Sequence, residues 1–419
     1  MSDKISIKEL LEGVEVEWKP LNEVCEFKNG FAFKSNLFKD SGLPIIRITN
    51  IDGKNVDLSD VKYFNPTDYK ENTDNYQVNK NDILIAMSGA TTGKIGFYNY
   101  DKTAYLNQRV GKFIPNEKKL KNRYLYHLLL SKVEEIYIIA GGGAQPNLSS
   151  NILMSKIQIP IPYPNDSDKS LEVQSEIVRI LDNFTELTAE LTAELTAELR
   201  ARKKQYEYYR EQLISNSTSQ IEKLEDIAQI YLGLTYTPTY VDNGIKFISA
   251  QNTSGDFLDL TNVKYISQEE YNKSTSNAKP KRGDVLFTRV GSNLGHPVIV
   301  DTDEELCIFV SLGFIRVNPK KVLNSYIKHW MNTDLFWEQV RKNVHGSAKV
   351  NLNTGWLKKF DVFLPSIEEQ MRIVNILDKF DTLTNSISEG LPKEIELRTK
   401  QYEYYRDLLL TFPKKEVEV

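Results

Sequence analysis

Three stretches of this 419-residue chain place residue types at spacings that chemistry uses. Asn65-Pro66-Thr67 approaches the Asn-Pro-Pro-aromatic motif an adenine methyltransferase would need, and fails at its third residue. Gly89-Ala90-Thr91-Thr92-Gly93-Lys94-Ile95 approaches a phosphate-binding loop. It has one residue too few between its glycines, and Ile95 stands where Ser or Thr would bind magnesium, so a turn between strands is the better reading. Glu17-Trp18-Lys19 matches the end of a nuclease carboxylate motif, a pattern common by chance. Cys25 and Cys307 lie far apart with no CxxC, and the four histidines (127, 296, 329, 345) show no ligand spacing. The chain reads as non-catalytic and without a structural metal.

Binding chemistry remains. Arginine pairs bidentately with guanine, and Asn or Gln with adenine. Loop residues with suitable groups in the first half are Lys34, Arg47, Asn50, Thr91, Thr92, Lys94, Gln108 and Arg109. In the second half they are Tyr236, Gln251, Asn252, Arg289, Ser292, Asn293 and His296. The glycine-rich loops Gly141-Gly142-Gly143-Ala144-Gln145 and Gly346-Ser347-Ala348-Lys349 permit close approach of backbone to phosphate, which adds Gln145 and Lys349. Each position reads equally as a solvated turn or a satisfied core group.

The elements that must position these residues are duplicated. Residues 174–187 (QSEIVRILDNFTEL) and 370–383 (QMRIVNILDKFDTL) are identical at eight of fourteen positions, at an offset of 196. At the same offset KKQYEYYREQLI (203–214) and TKQYEYYRDLLL (399–410) share eight of twelve. Ile177, Ile180, Leu181, Phe184 and Leu187 follow helical spacing, as do Ile373, Ile376, Leu377, Phe380 and Leu383. A helix from about 170 to 214 is roughly 65 Å long at 1.5 Å per residue. No single compact domain supports such a length, so an antiparallel coiled coil with its duplicate is expected, with a kink or break near Gly390 and Pro392. Between the blocks, TAEL repeats three times from Thr188 to Leu199. Its leucines recur every four residues and overshoot a turn by about 40°. The repeat is either an adjustable spacer or plain low-complexity helix.

Short β-branched and aromatic runs bounded by Gly, Asn and Asp fill the intervals and also correspond. Residues 44–50 (PIIRITN) parallel 246–252 (KFISAQN), and Asn81–Ile85 before Gly89 parallels Gly283–Phe287 before Gly291. Helical stretches are expected at Tyr124–Leu130 and Tyr326–Trp337, and closing strands at Ile157–Pro162 and Phe360–Pro365. The fold class is α+β, with two α/β domains alternating with two long helices in a pseudo-two-fold internal repeat. The boundaries read 1–13, an N-terminal helical segment; 14–165, first domain; 166–217, central helix; 218–366, second domain; and 367–419, C-terminal helix and tail.

Charge leaves the partner open. The chain carries a net −4, but residues 14–163 carry +3 and residues 221–365 carry +1, neither basic enough to demand nucleic acid. With 40% hydrophobic and 26% charged residues the composition is globular. No apolar run approaches the roughly 18 residues of a membrane span, and Met1-Ser2-Asp3-Lys4 opens no signal peptide, so a cytoplasmic protein is expected.

The order of domain, Gly-rich loop with Asn-Leu, Ile-x-Ile-Pro strand and glutamine-led helix (Gln174, Gln370) resembles the DNA-specificity subunit of type I restriction-modification systems. The TAEL array and duplicated KQYEYYR blocks resemble the subfamily whose central helix varies by such tetrapeptides. The resemblance implies two target-recognition domains, each reading half of a bipartite site in double-stranded DNA, and conserved helices that dock two modification (methyltransferase) subunits. It also implies restriction (motor-nuclease) subunits, with S-adenosylmethionine on the former, ATP and Mg on the latter, and no cofactor on this chain. Tyr206, Tyr208, Tyr209, Tyr402, Tyr404 and Tyr405 then serve helix packing or subunit docking. Glu9-Leu10-Leu11 parallels Gln212-Leu213-Ile214 and is expected beside the end of the second helix. The competing class is a coiled-coil scaffold whose two domains bind protein; a modification-only or fused system is a third possibility.

Overall fold

The computed structural model describes residues 11, 13–142, 146–215, 220–274, 276–291, 293–343, 351–386 and 389–412. It comprises two compact units, residues 1–192 with 397–419, and residues 193–396. The helices that carry the sheet domains are α1 (Asn122–Ser131), α2 (Ser167–Ser215), α3 (Asn324–Met331), α4 (Ile367–Asn385) and α5 (Gly390–Leu410). Among the described residues no helix is long and apolar enough to cross a membrane.

The first unit holds two four-stranded sheets. One runs Cys25–Asn29, Val110–Pro115, Ile83–Ala86, Ile95–Phe97, antiparallel throughout. The other runs Lys62–Phe64, Leu43–Ile46, Ala104–Leu106, Gln77–Val78, with a parallel pair at its centre. A two-stranded ladder closes the domain, Val16–Pro20 against Gln158–Pro162. The sheet core, including Ile83, Ile85 and Phe113, is continuous with Ile177 and Leu181 of α2 and Leu409 and Leu410 of α5. Leu11 packs on this cluster, while Glu9 and Leu10 lie outside the described residues.

The second unit repeats the plan. Ala228–Leu232, Leu312–Val317, Val285–Thr288 and Pro297–Ile299 form one sheet in the same order, and Gln220–Lys223 pairs with Asp361–Leu364 to close the domain. Its other sheet keeps the three shared strands (Lys264–Ile266, Ile245–Ile248, Leu306–Ile308) but differs at the edge. The fourth strand, Tyr240–Val241, joins beyond Lys264–Ile266, whereas Gln77–Val78 of the first unit joins at the opposite side. The core joins Val285, Phe287 and Ile315 to Tyr206 of α2 and Ile373 and Leu377 of α4.

One glutamine does the same job in each unit. Gln174 Oε1 accepts from the backbone N–H of Lys121 at 2.8 Å and its Nε2 donates to the Lys119 carbonyl at 2.9 Å. Gln370 accepts from Leu323 N–H at 2.9 Å and donates to the Lys321 carbonyl at 3.0 Å. Both side chains are fully buried. Each satisfies an N–H at the start of α1 or α3, a donor the helix itself leaves without a partner.

The helix pairing has the expected sense. In the first unit Phe184 stacks on Tyr405 at 5.3 Å, and one residue further along α2 Thr185 meets Tyr402, earlier in α5, so the two run antiparallel. In the second unit Tyr206 and Tyr209 stack on Phe380 of α4. The break near Gly390 is present, since α4 stops at Asn385 and α5 begins at Gly390. Gly390 has φ +77°, and a Cβ there would lie 2.6 Å from the Thr382 carbonyl oxygen. Pro392 falls in the first turn of α5, where its missing N–H breaks no ladder bond. Along the repeat the leucines change exposure, from exposed Leu187 just before it through half-buried Leu191 and buried Leu195 to half-buried Leu199. The helix expected over Tyr326–Trp337 is instead two, α3 and Asp334–Asn343. Thr333 divides them, its hydroxyl donating to the Trp330 carbonyl and accepting from Phe336 N–H.

Candidate nucleic-acid interface

In the first unit, the three residues Asn107–Arg109 carry the chain from one four-stranded sheet to the other. Their backbone is fixed on three sides. Asn107 N–H donates to the Ile46 carbonyl, Val110 N–H to that of Asn107, and Met87 N–H to that of Arg109. Gly30 backs the turn so closely that a Cβ there would stand 2.0 Å from the Asn107 oxygen. The side chains of Gln108 and Arg109 are exposed. Beside them Gly89–Thr92 folds into a short 3-10 turn between strands, as its glycine spacing suggested. Thr92 Oγ1 holds it to the carbonyls of Gly89 (2.7 Å) and Pro146 (3.1 Å). These turns, with Asn29 and Pro146–Ser150, line a cleft of about 820 Å³. The hydroxyls of Ser88, in the wall of this cleft, and of Thr91, in the same turn, are shielded from solvent without a partner among the described residues.

The second unit builds the same frame with different side chains. Phe309–Ser311 joins its two sheets, with Phe309 N–H bonded to the Ile248 carbonyl, Leu312 N–H to that of Phe309, and Arg289 N–H to that of Ser311. Gly233 takes the place of Gly30, a Cβ there lying 2.2 Å from the Phe309 oxygen. Val310 and Ser311 now stand where the first unit has Gln108 and Arg109. A cleft of about 440 Å³ lies alongside, lined by Tyr240, Gln251 and Lys264 among others, with the Lys264 ammonium 4.2 Å from the Tyr240 ring centre.

The proposed base readers divide sharply in this frame. Asn50 and Asn252 are corrections: both are buried and direct their amides to backbone. Asn50 accepts from Arg47 N–H and donates to the carbonyls of Asp57 and Asp60, and Asn252 accepts from Ser249 N–H and donates to those of Asp259 and Asn262. Thr92 is likewise committed to its own turn. Arg289 is a positioning residue, because its guanidinium donates to the Val310 and Leu352 carbonyls, and burial pushes its pKa below the usual arginine value. Arg47 reaches the Asp60 carbonyl at 3.2 Å. Tyr236 donates to Glu270, Asn293 to the Ser254 carbonyl, and His296 Nε2 lies 2.9 Å from the Gly255 carbonyl. Lys34, Gln108, Arg109 and Gln251 are exposed, and Thr91 and Lys94 half-buried. Gln145, Ser292 and Lys349 lie outside the described residues.

The tyrosines split too. Tyr206 and Tyr402 are buried inside their units, so they pack the helices and offer no docking surface. Tyr209 and Tyr405 stack on Phe380 and Phe184, while Tyr208 and Tyr404 are the most exposed of the set. The near-motifs of the sequence are also absorbed locally. Asn65 caps the turn at Pro66–Asp68 through Thr67 N–H, and Glu17 pairs with Lys19 at 3.0 Å.

Two polar clusters that no motif announced join the sheet domains to the helices. In the first, buried His127 Nε2 and Arg123 Nε both lie 2.8 Å from Asp182 Oδ1. Burial holds the His127 pKa below its ordinary value, outweighing the Asp182 hydrogen bond. Burial raises that of Asp182, but bonds from His127 and Arg123 outweigh it and the net shift is downward. In the second, His329 Nε2 lies 2.7 Å from Asp378. The signal was available, since Asp182 and Asp378 fall inside the identical ILD triplets.

These features agree with the comparisons to known proteins. The family model described as "Type I restriction modification DNA specificity domain" matches residues 13–201 and again 216–397. A type I restriction enzyme specificity subunit of Escherichia coli is 36% identical over 429 residues, covering 99% of each chain. The EcoprrI specificity subunit, also from E. coli, is 30% identical over 405 residues and covers 93% of each. Two solved structures share the fold at low identity. One comes from a study of type I system assembly and conformational transition (TM-score 0.68, 16% identity, 94% of this chain and 97% of that one). The other is the HsdS subunit of Thermoanaerobacter tengcongensis (TM-score 0.52, 15% identity, 94% and 95%). With a DNA-specificity model matched twice and relatives aligned from end to end, this chain belongs to the type I restriction-modification specificity-subunit family.

Proposed function

We infer that this chain is the sequence-specific DNA-binding subunit of a type I restriction-modification complex, each sheet domain reading one half of a bipartite target. A specificity subunit is not itself an enzyme, and the methyl transfer and cleavage of such a complex reside on other chains. The observation that carries the two-half reading is the paired turns, Asn107–Arg109 and Phe309–Ser311. Their backbones are held by corresponding bonds while the side chains they display differ. Identical frames with different side chains are what two readers of different sequences require, because backbone sets position and side chains set the base.

The finer reading has the long helices docking two modification subunits, with exposed Tyr208 and Tyr404 at corresponding positions as contacts. Restriction subunits join that assembly in the cytoplasm. S-adenosylmethionine belongs to the modification subunits, and ATP and Mg to the restriction subunits. The TAEL array sets the gap between half-sites, as in the subfamily it resembles.

The test is a domain exchange. Replacing residues 14–163 by the corresponding domain of a relative, and sequencing the methylated sites made by the co-expressed complex, is expected to change one half-site and leave the other. A change in both halves would show that the domains are not independent readers.

A further inference from the structure

Arginines in the first sheet domain occur at positions 47, 109 and 123. Arg47 is tied to Asp60. Arg123 is bonded to Asp182 and lies over the rings of Phe97 and Tyr126, 4.4 and 4.5 Å from their centres. Among the described residues, the Arg109 side chain alone of the three has neither ion pair nor hydrogen bond, and it is exposed at the rim of the 820 Å³ cleft. The turn's backbone, by contrast, is held at Asn107, at Val110 and at the Arg109 carbonyl itself. A free guanidinium, with the amide of Gln108 beside it, presents two adjacent donor groups on a backbone that is set before any ligand arrives. That arrangement favours a planar pair of acceptors, and in duplex DNA the major-groove edge of guanine supplies them as O6 and N7.

The second unit departs at this very point. Its turn carries Val310 and Ser311, the Ser311 hydroxyl accepts from Ala250 N–H, and the neighbouring guanidinium of Arg289 faces inward to the Val310 carbonyl. Its exposed arginines without a described partner, Arg200 and Arg341, lie on α2 and on the helix Asp334–Asn343 and not on the turn.

Building on the two-domain reading, we propose that Arg109 is a specificity-determining residue that reads a guanine in the half-site of the first unit, and that the corresponding turn of the second unit makes no such contact. The two halves of the target are therefore recognised by different chemistry at equivalent places. Gln108 contributes at the adjoining base, and Ser88 lies in the wall of the same cleft.

The experiment selects duplexes from a randomised pool with the co-purified complex of this chain and its modification subunits, and sequences those retained. The parent complex is expected to enrich a bipartite motif with a guanine in one half. Arg109→Ala should flatten that single column, reducing the preference for guanine by about tenfold or more, with every column of the other half unchanged. Arg109→Lys, which keeps the charge but not the planar two-pronged geometry, should leave a weakened guanine column, because an ammonium still donates to O6 or N7. A variant that binds more weakly while every column survives would overturn the proposal and make Arg109 a phosphate contact. A parent complex that enriches no bipartite motif would instead refute the two-domain reading on which the proposal rests. Thermal melting of each variant beside the parent confirms that an exposed side chain has been changed without loss of the fold.

Discussion

The hydroxyl of Tyr206 lies 3.1 Å from Nδ1 of His329, in the buried core of the second unit. Nε2 of the same ring faces Asp378, which leaves Nδ1 to accept from the tyrosine. Burial pushes the Tyr206 phenol well above its ordinary pKa, so it stays a donor. The first unit has the same residues and a different bond: Tyr402, the duplicate of Tyr206, meets Thr185 Oγ1 at 3.2 Å, and Nδ1 of His127 has no partner among the described residues.

Removing the hydroxyls should therefore have unequal effects. Tyr206→Phe leaves a buried ring nitrogen unsatisfied and should cost about 1–2 kcal/mol. Tyr402→Phe should cost less than about 1 kcal/mol, because the Thr185 hydroxyl keeps its bond to the Leu181 carbonyl. Urea denaturation of the two variants beside the parent measures both, and equal losses would contradict the asymmetry.

The first unit should also soften in mild acid. Burial depresses the His127 pKa in the folded chain, so as pH falls the unfolded chain takes up this proton first. The stability contributed by neutral His127 is present above the ordinary value of 6.5 and is lost as pH falls toward its lowered folded value. Asp182, also depressed, acts in the same direction but in the carboxylate range, at lower pH. Unfolding free energy should fall from pH 7 to 5, by up to about 1.4 kcal/mol per pH unit from this group, and melting temperature with it. His127→Gln, which does not titrate, should flatten that component; an unchanged profile would assign the loss to other groups.

Deleting Thr196–Leu199 shortens α2 by about 6 Å and turns its far end by about 40°. DNA advances about 3.4 Å and turns about 34° per base pair, given roughly 10.5 pairs per turn. The gap between half-sites should change by one base pair, two at most, with both half-sites intact. Methylome sequencing of the deletion variant and parent reads this directly, and an active variant with the original gap would leave the repeat as plain helix.

The duplication, the long helices and the break at Gly390 were legible in the sequence because periodicity and self-similarity are properties of residue order. The base-reading side was less so, for a reason that Asn50 and Asn252 make plain. Both were chosen because an amide suits adenine, yet both bind backbone. Their presence at matching places in the two copies was the clue: residues the copies share hold the frame, whereas Gln108 and Arg109, replaced by Val310 and Ser311, are where the copies differ. Burial was illegible in single residues, so Arg109 and Arg289 looked alike until the carbonyls around Arg289 were seen. Thr333 dividing a helix was missed because its hydroxyl acts through a local backbone bond that apolar periodicity does not register.

The bonds of Asn50 and Asn252 end on main-chain carbonyls, and every residue has one of those. The stretches they brace, to Asp60 in one copy and Asn262 in the other, can therefore exchange exposed side chains while the loop keeps its course, with Ile51, Val56 and Leu258 anchoring it in the core. A lineage under pressure to read new sequences can draw on such loops by point substitution or by recombination between relatives. Novelty at the exposed positions leaves the core and the backbone bonds untouched, and the frame is inherited whole.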